Sequence, residues 1–138
     1  MESNENISIS NIVLMESNFF RDKIIDFSDP NLKNNINIHL DNVVADNFLE
    51  TTLMVTFTAV INEKTIVEAK IKMLAIFEFT TISSVNLETF KEINAPAIIY
   101  PYIREHLTSL STKALLTPII IPPVNFVKLA EQNKAIKE

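Results

Sequence analysis

The sequence predicts an α+β fold: four antiparallel strands forming one sheet, then a long helix and a short C-terminal helix. Three observations carry the prediction. Apolar and polar residues alternate through the first half of the chain, which gives each strand one apolar and one wet face. The breaks between the central runs are short and polar, as hairpins require. Helical spacing of apolar residues begins only at Asn94, so strands come first and helices after them.

Met1 to Asn6 is polar and marks a frayed start. From Ile7 to Met15 the apolar positions are Ile7, Ile9, Ile12 and Leu14, and the change of phase between Ile9 and Ile12 predicts a strand with a bulge. Glu16 to Asn35 shows no period. It carries Phe19, Phe20, Ile24, Ile25, Phe27 and Leu32, too much apolar side chain for a solvated loop, and is expected to lie on a surface it helps to cover. A half-buried strand sets Ile36, Ile38 and Leu40 against Asn37, His39 and Asp41. After Asp46-Asn47, Leu53, Val55, Phe57, Ala59 and Ile61 alternate with Thr52, Met54, Thr56, Thr58 and Val60. Asn62-Glu63 turns the chain into a fourth run, where Val67, Ala69, Ile71, Met73, Ala75, Phe77 and Phe79 oppose Glu68, Lys70 and Lys72.

Asn94 is placed to cap a helix with Pro96 in its first turn. Pro101 either kinks that helix or begins it after an extended Asn94 to Tyr100 segment. Beyond it, Tyr102, Ile103, His106, Leu107, Leu110 and Ala114 follow helical spacing on one side, with Arg104, Glu105, Thr108 and Thr112 on the other. Leu115 to Val124 is apolar but holds Pro118, Pro122 and Pro123, which suits a packed, extended lid. Asn125 can cap a last short helix showing Phe126, Leu129 and Ala130 on one side.

One domain over residues 1–138 is expected, since 138 residues with 47% apolar content make one ordinary core. Neither a basic leader followed by an apolar run nor a membrane-spanning stretch is present, which predicts a cytoplasmic protein with no membrane insertion. A net charge of −5 argues against nucleic acid, whose phosphates demand a basic face. The absence of cysteine fits a reducing compartment and excludes thiolate chemistry. Glycine is absent too, so phosphate loops are excluded and left-handed turns fall to Asn or Asp, with Asn34-Asn35, Asp46-Asn47 and Asn62 as candidates.

Catalytic hardware is correspondingly thin, and no catalytic residue, metal or cofactor is expected. His39 falls on the polar face of its strand as an exposed histidine, and His106 in the apolar stripe of the helix as a packing or interface residue. Asp22, Asp26 and Asp29 share no face and read as a solvated acidic loop. A hot-dog-type acyl enzyme would need Glu105 and His106 to converge, yet adjacent helical residues point about 100° apart.

Two stretches carry a resemblance: Asn94-Ala95-Pro96-Ala97-Ile98-Ile99-Tyr100-Pro101-Tyr102-Ile103-Arg104-Glu105, and Pro122-Pro123-Val124-Asn125-Phe126-Val127-Lys128-Leu129. They resemble the signature region of the SecB family of protein-export chaperones, and Ile36 to Asp41 with Leu49 to Ala59 are similar to that family's second and third strands. The resemblance implies a crossover between strands one and two. It implies an ATP-independent holdase that binds unfolded preproteins in an apolar groove, keeps them export-competent and passes them to the translocase motor SecA. A specialised SecB-like chaperone of a toxin–antitoxin pair is the nearest alternative. By matching position, Leu32 in the crossover and Val124, Phe126 and Leu129 near the end would line the client groove. Tyr102, Leu107 and Leu110 would be buried between subunits of a homotetramer built as a dimer of dimers. Glu16 and Glu68 would belong to an acidic docking face for SecA, on which Lys70 and Lys72 are departures.

Overall fold

The protein is described from a computed structural model, in which residues 7–80, 86–116 and 124–137 are placed, with side chains as far as 132. Four strands, β1 (Ile7–Arg21), β2 (Leu32–Ala45), β3 (Phe48–Ile61) and β4 (Lys64–Phe79), pair antiparallel in the order β1-β4-β3-β2. Consecutive strands β1 and β2 therefore lie on opposite edges, and the segment between them crosses from one to the other. That agrees with the crossover implied by the resemblance.

Period-2 patterning sets the two faces of the sheet. Val55, Phe57, Ala59, Ala69, Ile71, Ala75, Phe77 and Phe79 are buried on one side. Glu68 and Glu78 on the other face are exposed, and Lys70 and Lys72 are partly so. Two-residue hairpins join β2 to β3 and β3 to β4, and Asp46, Asn62 and Glu63 take positive φ angles of 54°, 51° and 70°. Such turns match the right-handed twist of the strands they join. Asn34 and Asn35, expected as a turn, instead pair with Ala59 and Thr58 inside β2.

The edge strands are longer than their patterning predicts. β1 continues through Glu16 to Arg21, and β2 starts at Leu32, leaving only residues 22–31 irregular. The expected phase slip lies between Ile9 and Asn11, and a second lies between Leu14 and Glu16. Each inserted residue turns the following side chains over to the other face. Ser10 thereby keeps Ile12 beside Ala75, and Met15 carries Glu16 across to Lys72, away from the core on which Ile12 packs.

The helical layer begins earlier than expected. Asn86 caps α1 (Leu87–Thr89), its side chain accepting the Thr89 N–H at 3.2 Å. A π-helical turn, Phe90–Asn94, leads directly into α2 (Ala95–Lys113). Asn94 is thus an internal helical residue that makes no capping bond, and Pro96 and Pro101 both sit within continuous helix. In the π turn the Ala95 N–H goes to Phe90 O. The next donor in that register is Pro96, which has none, so Lys91 O lacks its helical partner. Asn42 of β2 fills the gap, donating from Nδ2 to Lys91 O at 3.0 Å while its Oδ1 accepts from the buried Thr51 hydroxyl at 2.7 Å.

Ile99, Ile103 and Leu107 of α2 are fully buried against the sheet, each burial contributing roughly 1.5–3 kcal/mol. Phe90 meets Phe77 and Phe79 edge-on at 5.1 and 5.6 Å. The predicted lid from Leu115 to Val124 falls largely on residues 117–123, outside the described residues. Of its described residues, Leu116 and Val124 pack on the core, while Leu115 faces solvent.

Candidate functional site

The crossover, residues 22–31, is built from local polar turns that free its apolar side chains. Asp26 accepts from the Ser28 hydroxyl at 2.6 Å and the Ser28 N–H at 3.0 Å, and Asp29 accepts from the Asn31 N–H at 2.8 Å. Those two bonds from Ser28 hold the exposed Asp26 carboxyl below the usual carboxylate range. Asp22 instead pairs with Lys64 at 3.1 Å, so the three aspartates share no site. Ile25 and Leu32 pack on the core, while Ile24 and Phe27 face solvent, Ile24 at 85% exposure.

Beside the crossover, α2 ends in a left-handed cap. Leu115, at φ 57°, donates its N–H to Thr112 O at 3.1 Å, and Leu116 donates to Ser111 O at 3.0 Å. This is the Schellman arrangement, which glycine normally occupies. Here a leucine takes the position with its side chain 87% exposed. Arg21, from the end of β1, donates to Ala114 O at 2.7 Å, Asp22 O at 2.7 Å and Lys23 O at 3.2 Å.

The last helix, α3 (Phe126–Lys137), is capped as expected by Asn125, whose Oδ1 accepts the Lys128 N–H at 3.0 Å. Phe126 lies edge-on to Tyr100 at 5.7 Å and is only 5% exposed. Burial raises the Tyr100 phenol above its ordinary pKa, with the Arg104 charge opposing. Val124 and Leu129 are half-buried against the core, and Val127 faces outward. Between α3 and the start of the helical layer lies a shallow depression of about 250 Å³, lined in part by Glu88, Glu92, Ile93, Val127 and Ala130.

The residues expected to contact clients therefore divide. Phe126 is a docking residue that fastens α3 to Tyr100. Leu32, Val124 and Leu129 are partly covered. At the crossover, the end of α2 and α3, the large apolar side chains that face solvent are Ile24, Phe27, Leu115 and Val127. The three residues expected between subunits divide as well. Tyr102 is 51% exposed, Leu110 is half-buried, and Leu107 has no accessible surface because it faces the sheet. Leu107 is thus a core residue, and its expected subunit contact is corrected. His106 is half-buried and its Nε2 lies 2.9 Å from Ser17 Oγ, which holds α2 to β1.

On the outer face, Glu16 sits between Lys70 at 3.5 Å and Lys72 at 3.6 Å, and accepts from Asn18 at 2.6 Å. Its charge is met twice, leaving exposed Glu68, beside Phe20 and Thr58, as the acid of this region without an ion pair among the described residues. Arg21 and Leu115 escaped sequence reasoning. A basic residue near a sheet edge has no local pattern that names its acceptors, and a left-handed leucine contradicts every preference for that position.

Comparison with known proteins is consistent with this geometry. Residues 11–137 match the family described as "Preprotein translocase subunit SecB". A protein-export protein SecB of Azoarcus sp. is 32% identical over 98 residues, covering 70% of this chain and 65% of the relative. Another, from Nitrosospira multiformis, is 34% identical over 101 residues, covering 72% and 64%. The matched part of the chain thus spans somewhat less than two thirds of these relatives. Among solved structures, a SecB-like chaperone of Mycobacterium tuberculosis in complex with an antitoxin peptide superposes with a TM-score of 0.73 at 15% identity. That match covers 88% of this chain and 92% of the other. With the sheet order, the crossover and a match across nearly its whole length, the chain belongs to the SecB family.

Proposed function

We propose that this protein is an ATP-independent holdase that binds unfolded preproteins, keeps them export-competent and passes them to the translocase. Membership of the SecB family supports this reading. The observation that carries it is the group of aliphatic and aromatic side chains turned outward at the crossover, the end of α2 and α3: Ile24, Phe27, Leu115 and Val127. Such surface holds an unfolded chain through the non-directional hydrophobic term, which is indifferent to sequence. Weak contacts along a long client add through multivalency. Half-buried Leu32, Val124 and Leu129 flank these residues and would widen the client surface.

A homotetramer assembled as a dimer of dimers in the cytoplasm completes the proposal. Ile9, Val13, Leu14 and Met15 are exposed along β1, an unpaired edge that an isolated subunit would leave open to aggregation. Tyr102 is the accessible member of the α2 stripe. The direct test is suppression of aggregation of several unrelated unfolded proteins without nucleotide. Aggregation that proceeds unchanged at equimolar chaperone would sink the holdase reading.

A second reading, a specialised chaperone of a toxin–antitoxin pair, draws on the paired state of Glu16. Its two lysine partners remove much of the negative field that docking to SecA would use. Lys70→Glu combined with Lys72→Glu is expected to strengthen binding to SecA about tenfold in titration calorimetry by restoring that field. Unchanged affinity would count against the idea that the missing acidity matters, whereas a clear preference for an antitoxin peptide over preproteins would favour the specialised reading.

A further inference from the structure

We infer that Arg21 is a positioning residue for client binding, clasping the crossover to the carboxyl end of α2 so that Ile24 and Leu115 stand together as a fixed apolar pair. The inference rests on the holdase reading. Arg21 donates from three nitrogens to three main-chain carbonyls: Asp22 O and Lys23 O in the crossover, and Ala114 O at the end of α2. A planar guanidinium can serve several acceptors at once in fixed directions, which an ammonium on a flexible stem does not reproduce. The charge also lies at the negative end of the α2 dipole.

Two of the gripped carbonyls directly precede the most exposed large apolar side chains among the described residues. Lys23 precedes Ile24, at 85% exposure, and Ala114 precedes Leu115, at 87%. A residue serving only to cap α2 would require neither side chain to face solvent, nor a leucine at φ 57° where a polar or smaller residue would fit with less strain. Strain maintained at a surface position that displays an apolar group marks a site whose geometry is in use. With the clasp closed, the ordering of the two segments precedes client arrival instead of being charged to binding.

The test uses the full-length protein and a permanently unfolded, fluorescently labelled client, reduced and carboxymethylated α-lactalbumin. Arg21→Met is expected to weaken client binding about tenfold, because loop ordering is no longer prepaid. Arg21→Lys, which keeps the charge but loses the fork, should weaken it about threefold. Circular dichroism checks that both variants are folded, and the lysine variant carries the test should the methionine variant unfold.

The decisive arm restores the link without the guanidinium. Because the chain has no cysteine, Lys23→Cys with Lys113→Cys in the Arg21→Met background gives two unique exposed thiols. Bridging them with a short bis-maleimide should return affinity to within about twofold of the wild type. Native affinity in Arg21→Met, or no recovery on bridging, overturns the positioning role while leaving the holdase reading intact. A wild-type protein that binds no client overturns both.

Discussion

Leu115 carries two costs at once, a left-handed backbone and an apolar side chain in water. Left-handed geometry costs a non-glycine residue roughly 1–2 kcal/mol. Leu115→Gly is therefore expected to raise stability by about 1 kcal/mol in urea denaturation, since no burial is lost, and to weaken client binding. A variant that is more stable and binds equally well would remove Leu115 from the client surface. Asp26 offers a second residue-scale test. Its folded-state pKa is lowered by the Ser28 hydroxyl and then the Ser28 N–H. The stabilisation is therefore present above the unfolded-state value and lost as pH falls through the folded one. NMR titration should place the Asp26 midpoint below its ordinary 3.8, and Ser28→Ala should move it back upward. A midpoint unchanged by that substitution would mean that the hydroxyl bond does not form in solution.

At the scale of elements, a few polar and aromatic contacts add to the apolar packing of the helical layer on the sheet. Asn42 supplies the donor that Pro96 cannot, tying the π turn to β2. Phe126 seats α3 on Tyr100. Removing a buried phenylalanine costs roughly 3–5 kcal/mol where the site cannot collapse, more than a short terminal helix can absorb. Phe126→Ala is thus expected to undock α3 while leaving the sheet folded, seen as rapid hydrogen exchange confined to residues 126–137. Uniformly increased exchange across β3 and β4 would show instead that α3 and the sheet form one cooperative unit. It follows that a charge placed at Phe126 would report on helix docking before client contact.

For the whole molecule, the long edge strand sets the requirement. β1 is an edge strand of the sheet and exposes Ile9, Val13, Leu14 and, at a bulge, Met15. Single charges on such an edge discourage strand addition. Met15→Lys should therefore lower the assembly mass in sedimentation velocity, from the proposed tetramer to a smaller species, with the circular dichroism spectrum preserved. An unchanged assembly mass would place the proposed subunit contact elsewhere, with Tyr102 the next position to change. The net charge of −5 makes subunits repel weakly, so lowering ionic strength should favour the dissociated form in both proteins.

What the sequence determined by itself was local and periodic. Alternation placed β3, β4 and the core half of β2, and turn chemistry placed Asp46 and Asn62. The phase slip after Ile9 announced the first bulge, and Asn125 announced the last helix. The signature stretches pointed to the family. Tertiary structure decided whatever depends on partners distant in sequence. Only the strand register with its Met15 bulge sets Glu16 between two lysines, and only packing against the sheet separates fully buried Leu107 from half-exposed Tyr102. The helical layer begins at Leu87 because Asn86 caps its first turn and Asn42 supplies the donor that Pro96 denies to Lys91 O. Arg21 became legible only when the crossover and α2 met, since a guanidinium selects carbonyls by their positions in space and not by residue type.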